Sequence, residues 1–124
     1  MRVLGTTVPV VTSDIDAAIA TYSALTGEPV KARFDVAERG LAIALVGSLA
    51  LIAGSEGAVA PLRGVRATFT VDSIEEYEAY LRLSGATILE PPASTPAGRS
   101  MVARLAGGVV FEFVELRQDD GTRP

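Results

Sequence analysis

Apolar positions along the chain fall into short alternating or continuous runs, interrupted twice by the three-and-four spacing of an amphipathic helix. Thr7 to Val11 reads as a strand, and Thr12-Ser13-Asp14 offers side chains that can cap a helix. Ile15, Ala18, Ile19, Tyr22 and Leu25 then recur on one helical face, Gly27 provides a C-cap and Pro29 blocks continuation. Val30 to Asp35 is the next strand, and Glu38-Arg39-Gly40 is a turn. Leu41 to Val46 and Leu49 to Ala53 form two apolar runs around Gly47-Ser48, which predicts a hairpin buried on both faces. Ser55 to Gly64, rich in glycine, alanine and proline, reads as a loop.

The second half repeats this order. Val65 to Val71 is a strand, Asp72-Ser73 caps a helix, and Asp72-Ser73-Ile74-Glu75 has the spacing of a capping box. The helix turns Ile74, Tyr77, Leu81 and Tyr80 inward, with Glu75, Glu76, Glu78 and Arg82 outward, and stops at Gly85. Ala86 to Glu90 is a strand, Pro91 to Gly98 a proline-rich loop, and Ser100 to Leu105 and Val109 to Leu116 the last two strands. Arg117 to Pro124 is a polar tail expected to fray.

The order is therefore βαβββ twice, with Ile15 falling on Ile74 and Gly27 on Gly85. Two copies of so long a unit indicate a duplicated half-domain, not a solenoid. One helix covers only one face of four strands, so the other face must line a cavity or close on another surface. The expected organisation is one domain over residues 1–117, with modules at about 5–57 and 64–117, followed by a polar tail at 118–124.

The last strand raises the main chemical question. Alternation puts Phe111, Phe113 and Glu115 on one side, and Val110, Glu112 and Val114 on the other. Glu112 sits at the centre of an apolar strand, and an unpaired carboxylate is costly to bury, so it needs a partner, a ligand or a metal.

Composition narrows the chemistry. The chain has 124 residues, enough for one core, with 48% hydrophobic and 21% charged residues, which fits a compact globule. A net charge of −4 gives no electrostatic reason to expect nucleic acid or an anionic membrane surface. Cysteine and histidine are both absent. Disulfides, thiolate metal sites and cysteine nucleophiles are thereby excluded, along with the commonest metal ligand and the commonest neutral-pH base. The N-terminus lacks a signal-peptide pattern, and the longest apolar run, Leu41 to Gly54, is too short to span a membrane, so a cytoplasmic location is expected.

Several stretches resemble the vicinal-oxygen-chelate superfamily of glyoxalases, bleomycin-resistance proteins and extradiol dioxygenases. They are Val11-Thr12-Ser13-Asp14-Ile15-Asp16 running into Ala18-Ile19-Ala20-Thr21-Tyr22, then Leu25-Thr26-Gly27. The second half adds Phe69-Thr70-Val71-Asp72-Ser73-Ile74, Gly85, Pro96-Ala97-Gly98-Arg99, and Gly108 followed by Glu112. The family's Asp-Pro-Asp-Gly-Asn turn is replaced by Leu105-Ala106-Gly107-Gly108-Val109. The resemblance implies an α+β fold, in which two tandem βαβββ modules form curved mixed sheets around a cleft, and a homodimer. It places the four cleft positions that hold a metal in metal-dependent members at Thr7, Ile52, Arg66 and Glu112. Only Glu112 is a competent ligand there: threonine is a weak neutral donor, isoleucine has none, and arginine repels a cation. The expectation is thus no metal and no cofactor.

Arg66 is then the expected partner of Glu112, at about 1.5–3 kcal/mol for a charged hydrogen bond. Thr68 and Thr70 share its strand parity and give that strand a polar cleft face, although threonine is also a good strand former. Arg104 follows the proline-rich loop and is a further candidate for contacting a ligand, or else a solvated strand-edge residue. The ligand-binding candidates are Thr7, Ile52, Arg66, Thr68, Arg104 and Glu112, with no catalytic residue assigned. Together they point to a metal-independent small-molecule binding protein. The alternatives are a divergent enzyme of the superfamily (lyase, isomerase or dioxygenase-like) with Glu112 as base, or a dimer module with a vestigial cleft. A carboxylate paired with arginine makes a poor base near neutral pH.

Overall fold

The computed structural model describes residues 1–117, so the expected tail at 118–124 lies outside the described residues. In chain order the elements are β1 (Val3–Val11), α1 (Ile15–Thr26), β2 (Val30–Val36), β3 (Leu41–Val46), β4 (Leu49–Gly54), α2 (Glu56–Val59), β5 (Val65–Val71), α3 (Ile74–Leu83), β6 (Thr87–Thr95), β7 (Gly98–Arg104) and β8 (Val110–Leu116). The βαβββ repeat expected from the sequence is present, and the fold is α+β with mixed strand pairing. The chain divides into two compact units. The N-terminal unit is Thr7–Val65, and the C-terminal unit runs from Arg66 on and includes Met1–Thr6.

In the N-terminal unit the strand order is β2-β3-β4-β1. β3 pairs antiparallel with both β2 and β4, and β4 pairs parallel with β1. The side chain of Asp14 accepts from the Ala17 amide at 3.1 Å and so starts α1; Gly27, at φ 73°, ends it in the left-handed region that favours glycine. Ile15 and Ala18 pack on Ala44, Val46 and Leu51, with Ile19 and Tyr22 beside them. Leu25 does not join this cluster: the last turn of α1 carries it out to 74% exposure. The hairpin is buried on both faces as its continuous apolar run predicts, because Leu41 and Ile52 on the opposite face pack on Val59. That cover comes from Ser55 to Gly64. Instead of an open loop it forms α2, capped by Ser55, and a 3-10 turn at Ala60–Leu62.

In the C-terminal unit the order is β5-β8-β7-β6. α3 lays Ile74 and Leu81 on Val71, Met101, Ala103 and Phe113, with Tyr77 beside them. Phe69, Phe111, Phe113 and Tyr77 form linked ring contacts with centroids 4.8–5.7 Å apart. Tyr80 points away and is 54% exposed, so the inward stripe is Ile74, Tyr77 and Leu81 alone. The helix start also differs from the expected capping box. Ser73 caps it, accepting from the Glu76 amide at 3.3 Å, while the Asp72 carboxylate accepts from the Arg2 amide at 2.8 Å. The Ile74 amide is taken by Glu115 from β8, at 2.8 Å.

The proline-rich stretch is the other correction. Pro91 and Pro92 lie inside β6, where the pairing with β7 shifts register between Glu90 and Ala93. β6 is the outer strand of its unit, so two residues without an amide hydrogen are tolerated at an irregularity there. Gly98 opens β7 hard against β8, where a Cβ would clash with the Glu115 carbonyl oxygen. Among the described residues no helix is long and apolar enough to cross a membrane.

Candidate functional site

The C-terminal unit has one face covered by α3, and the opposite face carries the polar groups. Pairing sets that face strand by strand. On β7 and β8, Val102 stands opposite Glu112, Ser100 opposite Val114, and Arg104 opposite Val110. The alternate residues Met101, Ala103 and Phe113 lie under α3. On β5, Val65, Ala67 and Val71 are buried, whereas Thr68 and Thr70 are half-buried and Arg66 is exposed.

β5 neighbours β8 in this unit, and two hydrogen bonds reach β8, one from β5 and one from the start of α3. Thr68 Oγ1 donates to Glu112 Oε1 at 2.9 Å, and the Ile74 amide donates to Glu115 Oε1 at 2.8 Å. Moving towards the C-terminal end of one strand thus moves towards that end of the other. β5 and β8 therefore run parallel, as β1 and β4 do. Thr68 bonds Glu112 across the β5–β8 pair, so Arg66, two residues earlier on the same face of β5, lies towards the Val110 end of β8, where Arg104 is paired with Val110. On β8 and β7 one row reads Val110, Arg104, with Arg66 towards the same end of β5. The next reads Glu112, Val102 and extends to Glu90 on β6, with Thr68 bonded to Glu112; the third reads Val114, Ser100, with Thr70 towards that end of β5.

Glu112 takes Thr68 in place of the expected Arg66, which lies two residues before Thr68 on β5. Among the described residues Arg66 and Arg104 enter no ion pair, whereas Arg33, Arg63, Arg82 and Arg99 each hold a carboxylate within 4.0 Å. Ser100, missed by sequence reasoning, is 9% exposed and joins the face through its pairing with Val114. A lone serine in a strand carries no signal until its cross-strand neighbour is known. Thr70 was legible from parity with Thr68.

The two candidates in the N-terminal unit are placed differently. Ile52 is 6% exposed beneath Val59 and beside Leu41, so it is a core residue of its unit rather than a cleft residue. Thr7 is half-buried on β1, on the same side as Val11. The parallel register sets Val11 against Ile52 and Val8 against Leu49, so Thr7 lies at the far end of β4 from Ile52. At about 3.3 Å per residue the two stand roughly 13 Å apart along the strands.

These residues do not fit a divalent cation. Among the described residues no three of histidine, cysteine, aspartate or glutamate come together as a ligand set. Ile52 is buried under its own helix, and Arg66 brings positive charge to the row beside Glu112. The face offers instead one half-buried carboxylate held by a hydroxyl, further hydroxyls, and two guanidinium groups. That set suits hydrogen bonding to a polar organic molecule.

No family model and no curated protein matches the chain. Solved structures do. An uncharacterised protein from Methanosarcina mazei is 35% identical over 97% of this chain and 98% of its own, with a TM-score of 0.86. Methylmalonyl-CoA epimerase from Mycobacterium tuberculosis is 23% identical over 94% of this chain and 90% of its own, with a TM-score of 0.75. A variant of the Streptomyces coelicolor epimerase, in complex with 2-nitronate-propionyl-CoA, is 19% identical over 94% of this chain and 100% of its own, with a TM-score of 0.72. At such identities the epimerases share the fold alone. The chain belongs to one family with the Methanosarcina mazei protein, and its fold is that of the vicinal-oxygen-chelate, glyoxalase-like superfamily.

Proposed function

We propose that this protein is a metal-independent small-molecule binding protein of the glyoxalase/bleomycin-resistance type, with its ligand held on the polar face of the C-terminal unit. The observation that carries the reading is the half-buried Glu112, hydrogen-bonded by Thr68 on a strand face that also presents Thr70 and Ser100. Hydroxyls and a carboxylate with this partial burial can exchange neighbours for the polar groups of a ligand at modest cost. The absence of histidine and cysteine from the whole chain supports binding without metal-assisted chemistry. A second reading is a divergent superfamily enzyme, and the likeness to the epimerase folds favours it. Its base would be Glu112, whose Oε1 already accepts a hydrogen bond from Thr68.

We also propose a homodimer in the cytoplasm. Val3, Leu4 and Val8 on β1 are 42–55% exposed, a cost that a second copy would relieve. Light scattering at micromolar concentration gives the mass directly.

The functional test is a thermal-shift screen over neutral, cationic, anionic and aromatic metabolites, run with and without chelator. A ligand that binds the folded state raises the midpoint by mass action. The expected result is a stabilising compound whose effect survives chelation and is lost in Thr68→Val. A stoichiometric transition metal in protein purified without chelator, required for that binding, would overturn the proposal.

A further inference from the structure

Resting on the reading above, we infer that Arg66 and Arg104, at the Val110 end of β8, form an oxyanion subsite, which takes the carboxylate or phosphate of a small organic acid. Three observations carry it. First, both arginines lie on the sheet face opposite α3, on β5 and β7, the strands either side of β8, and both towards the Val110 end of that strand. Two strand spacings separate them, about 10 Å between backbones, and two guanidinium side chains can converge above a valine over that distance. Second, both are exposed, and neither is spent on an ion pair among the described residues, unlike the four arginines already engaged. Third, the negative groups of this face lie one row away. Glu112 is held by Thr68, and Glu90 is on the outer strand.

Arginine forks match planar carboxylates and phosphates through paired N–H donors, and are more weakly hydrated than lysine. Val110 beneath them offers no competing acceptor side chain. The rows then order the ligand. Its oxyanion lies over Val110, and its body crosses towards Glu112, where a hydroxyl or amine on the ligand has an acceptor. Hydroxyls of Thr70 and Ser100 stand one row further on. The ligand class is thus a small acid with a hydrogen-bond donor about 7 Å from its oxyanion, the length of two strand residues. A molecule long enough to carry a second negative group to Glu112 meets it unfavourably, which separates a hydroxy or amino acid of that length from a plain polyanion; anions as short as malonate or phosphate do not reach it.

Two titration probes, malonate and inorganic phosphate, with neutral malonamide as control, test this on the full chain by amide chemical-shift mapping and thermal shift. Malonate or phosphate is expected to move the Arg66, Val110 and Arg104 amides and raise the midpoint, with malonamide inert. Arg66→Gln and Arg104→Gln are each expected to weaken binding at least tenfold, whereas Arg39→Gln, an exposed arginine of the other unit, leaves it unchanged. Stronger binding of malonate assigns a carboxylate ligand, and of phosphate a phosphate ester; either supports the subsite. The mapping on the unsubstituted protein stands even where a variant folds poorly. Two outcomes overturn the inference. In one, no anion moves these amides, or Arg39→Gln weakens binding as much, while neutral or cationic compounds bind through Thr68 and Glu112; the subsite then fails and the binding function survives. In the other, no compound of any charge binds, and both fall.

Discussion

Replacing Thr68 by valine and Glu112 by leucine, singly and together, measures the contact on which the polar face is built. The hydroxyl donates to the carboxylate at 2.9 Å in a half-buried setting. A hydrogen bond to a charged group is worth about 1.5–3 kcal/mol net, and partial exposure places this one near or below the lower end. The expected coupling is therefore about 1–2 kcal/mol. Valine keeps the branched shape and strand preference of threonine, so Thr68→Val removes little besides the hydroxyl. Leucine keeps most of the bulk of Glu112 and removes every acceptor. Glu112 has further interactions beyond Thr68, and these enter Glu112→Leu and the double variant equally, so the cycle cancels them. Urea unfolding of the four proteins gives the four free energies, and equal m-values keep the comparison sound. A coupling below about 0.3 kcal/mol would mean that the two side chains do not share a hydrogen bond, and the assignment of Glu112 to Thr68 would fall.

Other expected outcomes follow from packing and charge. Gly98→Ala drives a methyl into the Glu115 carbonyl and should cost at least about 2–3 kcal/mol; an unchanged urea midpoint would refute the close approach. Met101→Ala empties a fully buried site and should cost about 2–5 kcal/mol, whereas Leu83→Ala, at 90% exposure, should stay within about 0.5 kcal/mol. Glu115→Ala strips the acceptor from the Ile74 amide at the start of α3, and should cost about 1–3 kcal/mol in unfolding with the largest hydrogen-exchange gain at Ile74. The Arg2 amide donating to Asp72 holds its carboxyl below the ordinary value of 3.8. A depressed folded-state value means that this stabilisation is complete above the unfolded value of 3.8, and fades as pH falls through the lower folded midpoint. A carbon-detected titration placing Asp72 at or above 3.8 would contradict the contact.

Much of the fold was legible because its signals are local. Strand parity separated Phe113 and Glu115 from Glu112 correctly, and helix spacing picked out Ile15, Ala18, Ile74 and Leu81, all buried. Gly27 and Asp14 marked the two ends of α1 through backbone conformation and a single side chain. The misreadings came where composition stood in for contacts. Prolines 91 and 92 suggested a loop, yet an outer strand with a register shift absorbs them. Glycine and alanine at residues 55–64 suggested an open loop, yet Val59 is needed to bury Leu41 and Ile52.

The candidate site was legible only as a set of residue types. By itself the sequence determined that this chain has no histidine or cysteine, that its modules are duplicated, and that one carboxylate lies in an apolar strand. Those are statements about residue identity and about the periods of two and 3.6, which need no partner. The tertiary structure decided that Glu112 takes Thr68, that Glu115 takes the α3 start, that Asp72 takes Arg2, and that Ile52 is covered. The three hydrogen bonds join residues 44, 41 and 70 positions apart. At such separations several partners satisfy the same carboxylate equally well, and only the pairing of strands brings one of them within reach.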